Sequence, residues 1–183
     1  NGVLPELRFL EQFNAHVDAP QPLVLSEVAS GDAEYLPALS ADGTLLFFTR
    51  AGERKAKGDL VSRPFEAFSW ARRPGPSVAF DEGVAIDAPF NQTDGYGGAS
   101  ISVDNRVLYL AIKTPVPDNA QNIDLYSTRY SLFDDSGREK IYLWSDPKPI
   151  DALNTPDGWE SQPAIDPSGN WLYFAAIRPG TTP

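Results

Sequence analysis

Three short pairs of residues carry the chemistry most worth following in this chain: Glu34-Tyr35, Tyr96-Gly97 and Trp159-Glu160. A carboxylate beside an aromatic ring attracts a cation or the basic end of a peptide, because both the anion and the ring face draw positive charge. The same groups serve equally well as hydrogen-bond acceptors between neighbouring elements. Covalent chemistry has little to work with. The single histidine, His16, lies outside the repeated part of the chain, and there is no cysteine. A Ser-His-Asp or Cys-His system needs a histidine held within a site.

Other motifs point to structure rather than reaction. Asp42, Asp104 and Ser168 sit where a sialidase-type Asp box would be sought. That motif separates Asp from Gly by one residue, whereas Gly43 follows Asp42 directly, as in an ordinary turn. No phosphate-binding loop, HExxH or EF-hand pattern is present. Gly95-Tyr96-Gly97-Gly98 lacks the following lysine and reads as a turn. Asn91-Gln92-Thr93 has the form of a glycosylation sequon and also reads as a turn. Asp59 and Asp124 are expected to cap backbone amides. Retaining glycosidases hold two carboxyls about 5 Å apart. Glu34 and Glu160 belong to the first and third copies of a repeat and are expected to lie farther apart. No catalytic residue, metal or cofactor is expected.

The elements that must position these residues are written three times. Glu34-Tyr35-Leu36-Pro37-Ala38-Leu39-Ser40-Ala41-Asp42-Gly43 precedes Leu45-Leu46-Phe47-Phe48. The pattern returns before Val107-Leu108-Tyr109-Leu110 and again before Trp171-Leu172-Tyr173-Phe174. Gly43, Asn105 and Gly169 mark the three copies, 62 and then 64 residues apart. Such a period marks one stacked structural unit and suits a four-stranded blade with generous loops. Within each copy a short strand runs into a type I turn that closes on a left-handed residue. Asp42-Gly43, Asp104-Asn105 and Ser168-Gly169 are these turns, and Gly and Asn are the residues that tolerate that conformation. The strands after the turns are apolar at every position, which predicts burial on both faces. Leu39, Leu46, Phe48, Ile101, Leu108, Leu110, Ile165, Leu172 and Phe174 are the expected core.

Further blocks align in the same order. Gly58-Asp59-Leu60-Val61-Ser62 and Ile123-Asp124-Leu125-Tyr126-Ser127 read as third strands. Trp70 before Pro74 matches Trp144 before Pro147. Ile86-Asp87-Ala88-Pro89-Phe90-Asn91 matches Ile150-Asp151-Ala152-Leu153-Asn154 with one deletion. The fold class is therefore all-β, of β-propeller repeats, with about three four-stranded blades. Approximate repeats are 31–90, 91–150 and an incomplete 151–183, all within 24–183. Residues 1–23 form an N-terminal arm and linker, helix-like over 4–16. Residues 114–122 and 130–140 read as an exposed loop and a hairpin tip of the second blade. In a propeller the first strand of each blade lines the central channel. Glu34, Tyr35, Tyr96, Trp159 and Glu160 would then lie at one channel mouth.

Composition bounds the rest. The 183 residues are 42% hydrophobic and 11% aromatic, ordinary for a folded domain, and the 17 Pro and 14 Gly suit many short strands. A net charge of −10 argues against nucleic acid or an anionic membrane as the main partner. No stretch is long and apolar enough to span a bilayer. Zero cysteines rule out disulfides and thiolate-ligated zinc.

The runs from Glu34 to Arg50 and from Trp159 to Phe174 resemble the TolB-like, WD-type propeller repeat. The Asn154-Thr155-Pro156-Asp157-Gly158-Trp159 segment, after Trp144-Ser145-Asp146-Pro147, is most similar to propellers of OmpA-like bacterial cell-envelope proteins, some tied to type-nine secretion and gliding. The resemblance covers residues 22–178. It implies a non-catalytic interaction scaffold, periplasmic or outer-membrane-associated, with protein partners in a cell-envelope complex. It also implies peptidoglycan as a partner, through a domain outside this chain. The alternative is the propeller of a larger hydrolase or lyase, prolyl-oligopeptidase-like or glycan-degrading, with its catalytic part elsewhere. Three blades do not close a ring of four to eight, so either the segment is part of a longer propeller, which is the preferred expectation, or copies associate to close it.

Overall fold

A computed structural model describes residues 24–54, 60–92, 95–115, 121–133 and 141–180. The N-terminal arm, His16 and Asp59 lie outside them. The described residues are all-β, with strands and turns but no helix. β1 (Ala33–Leu39), β2 (Leu45–Arg54), β3 (Arg63–Arg72) and β4 (Val84–Ala85) form an antiparallel sheet in that order. β5 (Tyr96–Ile101), β6 (Val107–Pro115), β7 (Gln121–Phe133) and β8 (Ile141–Trp144) form the second, with β9 (Lys148–Pro149) also paired to β7. β10 (Trp159–Ile165) and β11 (Leu172–Ile177) make the third.

The hairpins that begin each sheet superimpose residue for residue. Leu39↔Leu46, Ile101↔Leu108 and Ile165↔Leu172 are the last pairs before the turn. At the turns, Gly43, Asn105 and Gly169 take φ of 69°, 57° and 75°. Ser40 Oγ accepts the N–H groups of Thr44 and Leu45 at 3.1 and 2.9 Å, and its hydroxyl donates to Asp42. Ser102 repeats this with Arg106, Val107 and Asp104. In the third turn the two residues trade places. Asp166 now accepts from Asn170 and Trp171, and Ser168 donates to it. Each turn thus satisfies the same backbone groups with either order of Ser and Asp.

The sheets stack in one direction. Directly opposed residues share a face of a sheet, and successive residues alternate faces. Leu45 and Phe47 face the second sheet. There they join Phe68, Ile86, Phe90, Tyr96, Ile101, Leu108 and Leu110 in one core. Phe47 stacks on Phe68 at 5.8 Å and meets Trp144 edge-on at 6.0 Å. Leu46 and Phe48, on the other face, are covered by Val28, Ala71 and Phe80. The second sheet then turns its opposite face to the third. Ser100, opposite Tyr109, accepts the Ile165 N–H at 3.1 Å. Gly97, opposite the buried Ala111, leaves room where a Cβ would stand 3.3 Å from Ser161 Cβ.

Several expectations are corrected by this packing. Leu39 is 55% exposed, because it lies on the outward face of the first sheet. Ile165, Leu172 and Phe174 are half-buried, since the third sheet is covered on one side. The second sheet has five strands rather than four, while the first has four and the incomplete third repeat two. Leu60 and Val61 are exposed and precede β3 instead of forming it. Trp70 and Trp144 are not equivalent. The pairing of β4 and β9 makes Ser127 the counterpart of Trp70, while Trp144 ends β8. Gly95-Tyr96-Gly97-Gly98 leads into a strand rather than a turn. The 114–122 segment includes paired ends of β6 and β7, and 130–133 extends β7.

Candidate functional site

The registers place Glu34, Tyr96 and Glu160 at one equivalent position, with Tyr35 just after it and Trp159 just before. Glu34 pairs across the strands with Arg50, whose Nε donates to it at 3.0 Å. The Ser30 hydroxyl also donates to it, as does the Ser30 N–H at 3.2 Å. Arg50 spends its remaining N–H groups on the Val28 and Gly83 carbonyls, at 2.8 and 3.1 Å, and lies over the Phe48 ring. Burial pushes the Glu34 carboxyl upward, but the bonds from Ser30 and Arg50 outweigh it and hold it below its usual range.

Glu160 repeats the arrangement in a deeper setting. It is fully buried and accepts from the Thr155 hydroxyl at 2.7 Å and from Arg178 Nε at 2.9 Å. Arg178 reaches on to the Leu153 carbonyl and lies over Phe174, the counterpart of Phe48. In each case a carboxylate at the start of the first strand fastens the loop before it. A hydroxyl of that loop and an arginine, Arg50 within the second strand or Arg178 just after it, complete the clamp. In the second sheet Tyr96 does this work, its hydroxyl oxygen accepting the Asn91 N–H at 2.6 Å. Burial raises the Tyr96 pKa, partly opposed by that bond. Tyr35 is half-buried and donates its hydroxyl to Glu66. Burial, then the neighbouring Glu66 carboxylate, raise its pKa strongly. Trp159 is half-buried, paired through its backbone to Ile177.

The turn carboxylates are also engaged. Asp42 accepts from Ser40 and Thr44 and, from the next repeat, from Asn105 Nδ2 at 2.7 Å. Asn105 therefore joins two sheets as well as closing its own turn. Burial raises the Asp42 pKa, and these bonds reverse the effect and lower it. The Ser102 hydroxyl holds Asp104 low, and Ser168 does the same for Asp166. Asp124 accepts from Asn122 Nδ2 at 3.2 Å.

Two repeated devices escaped the sequence reading. The first is a bulge in every first strand, at Leu36, Gly98 and Gln162, where φ is 54°, 106° and 52°. These bulges converge: a Cβ on Gly98 would lie 3.5 Å from Gln162 Cα and 3.8 Å from Leu36 Cδ1. Their conformation had no signal in residue type, since only the middle copy uses glycine. The second device is a pair of asparagines. Asn91 Oδ1 accepts the Phe68 N–H at 2.7 Å while its Nδ2 donates to the Phe68 and Ile86 carbonyls at 2.9 and 2.8 Å. Asn154 holds Leu125 in the same way, at 2.8 and 3.0 Å. The alignment of Asn91 with Asn154 was the available signal. Among the described residues no three His, Cys, Asp or Glu side chains gather as a metal site, and no helix is long and apolar enough to cross a membrane. In comparison with known proteins, no family model, curated protein or solved structure matches the chain.

Proposed function

We propose that this chain is a non-catalytic interaction scaffold, built as TolB-like β-propeller repeats and serving in the bacterial cell envelope at the periplasm or outer membrane. The observation that carries the reading is the fate of the repeated polar residues. Glu34, Tyr96 and Glu160 fasten loops to strands, Asp42 and Asn105 fasten one sheet to the next, and Asn91 and Asn154 fasten outer segments to third strands. Their job in this reading is to hold sheet faces and edges in fixed relation, and those surfaces recruit protein partners. The family, the location and the envelope partners rest on the resemblance of the repeat motifs, an argument from analogy.

The experiment is site-specific photo-crosslinking. The chain is exported to the periplasm of a bacterial host with a crosslinker at Tyr35, Trp159 or Val84, the last 49% exposed on a sheet edge. Crosslinks to discrete envelope proteins, from one or more positions, are expected. Background labelling at every position, or peptide or glycan turnover lost on a single substitution within the chain, would defeat the reading.

A further inference from the structure

The outer edge of the first sheet is open while that of the second is guarded, and we infer that a lysine- or arginine-flanked strand of a partner protein pairs with β4. The inference rests on the scaffold reading and goes beyond it by naming the edge and the chemistry of its partner. The sheets stack face to face, so a repeat before or after them would cover faces and leave these outer edges free. The registers make the two edges equivalent. Val84 opposes Trp70 and Ala85 opposes Ser69, as Lys148 opposes Ser127 and Pro149 opposes Tyr126. The next residue of each edge donates its N–H inward, Ile86 to the Phe68 carbonyl at 3.0 Å and Ile150 to the Leu125 carbonyl at 2.9 Å. In an antiparallel ladder the neighbouring residue then turns its own N–H and C=O outward. Ala85 therefore presents both groups at the open side. Pro149 fits the equivalent place because no ladder bond uses its nitrogen.

Proline and lysine are residues that blunt an edge strand against further pairing. The second sheet has Pro147, Lys148 and Pro149 in a row. The first has Val84, 49% exposed, and an exposed Ala85, neither of which obstructs an incoming strand. Val84 shares a face with Trp70, so a side chain arriving on that face gains apolar neighbours. Exposed carboxylates flank β4, Glu82 before it and Asp87 after it. They select basic residues at the ends of the partner segment. They also disfavour a second copy, because β4 paired with β4 would bring the carboxylates of both chains together. Asp146 and Asp151 give the second edge similar exposed flanks, so the guarding residues, not charge, separate the two edges. Main-chain hydrogen bonds supply the pairing, and Val84 with the flanking carboxylates supplies the choice of partner.

Fluorescence anisotropy tests this on the whole chain. The probe is a labelled peptide of alternating valine and threonine with a lysine at each end. It should bind the wild type at low ionic strength and weaken as salt rises. Val84→Lys with Ala85→Pro copies the guarded edge onto the open one and should lower affinity by at least about tenfold. Val84→Lys alone, which leaves the backbone unchanged, should weaken binding in the same direction. Circular dichroism and melting temperature check that both variants keep the fold. The same peptide ended in glutamates should bind the wild type more weakly than the lysine form. A wild type that ignores the lysine peptide, or a folded double variant that binds it as well as wild type does, would overturn the inference. So would a wild-type dimer that Val84→Lys dissolves, since a second copy would then hold the edge. Envelope crosslinks from Tyr35 or Trp159 that persist while the peptide fails would sink this inference and leave the scaffold reading standing. Peptide binding at the edge with no envelope crosslink would do the reverse.

Discussion

Gln162 and Leu36 hold left-handed backbone that ordinary side chains avoid, at a cost of roughly 1–2 kcal/mol each. Gln162 is exposed, so Gln162→Gly should relieve that cost with little lost contact and stabilise the chain by roughly 0.5 kcal/mol after glycine's own entropy penalty. Gly98→Val should do the opposite, and paired urea titrations compare the two. Asn91→Ala and Asn154→Ala each strip partners from a third-strand N–H and carbonyl, and should each cost about 1–3 kcal/mol. Equal costs at both sites would fit a shared device, and negligible cost at either would argue against it. The pH dependence follows from Glu34. Its folded pKa is lowered, so its stabilisation is present above the ordinary carboxylate value and is lost as pH falls through the lowered one. Glu34→Gln should flatten that part of a melting temperature against pH curve; an unchanged acid limb would remove Glu34 as a contributor. These residue-scale contacts were partly legible. The Asp-Gly spacing identified the turns, but no one-dimensional pattern distinguishes a carboxylate waiting for a ligand from one already met by Arg50 or Arg178.

At the scale of elements, each first strand is fixed at three places: the clamp at its start, the bulge in its middle and the turn at its end. The Glu160 clamp is the deepest, and its carboxylate is fully buried. Glu160→Ala would leave Arg178 and the Thr155 hydroxyl without their acceptor and should cost about 2 kcal/mol, since hydrogen bonds to charged groups are worth roughly 1.5–3. Glu34→Ala should cost less, because the Glu34 carboxylate keeps some contact with solvent whereas that of Glu160 keeps none. Guanidinium melts of both variants test the order. Strand pairing within each hairpin was readable from the alternation of turn and apolar run. The third strands were harder. β3 begins after Val61, and β7 runs on into a longer hairpin that returns through Trp144, so blocks of similar composition fell on different strands. Tryptophans align well in sequence because they fill space. Here Trp70 and Trp144 come from different strands and both pack on Phe47.

For the whole molecule, the all-β class followed from the repeat, and so did the equivalence of the hairpins. Direction did not: which face of a wholly apolar strand meets the next sheet is invisible when both faces are apolar. The registers supply it, and with it the reason Leu39 is exposed while its counterpart Ile101 is buried. The account stands on that directional stacking, with the first strands of successive sheets side by side. An introduced disulfide tests it directly, because the natural chain has no cysteine to interfere. Position 97 would place a Cβ 3.3 Å from that of Ser161, close to the 3.5–4.5 Å that disulfides span. Gly97→Cys with Ser161→Cys, with Ala111→Gly added to relieve the contact behind it, should crosslink quantitatively on mild oxidation, seen as the loss of two thiols and of two hydrogens by mass. Two free thiols persisting in folded, oxidised protein would mean that the first strands of the second and third sheets do not lie together, and the stacking described here would be wrong.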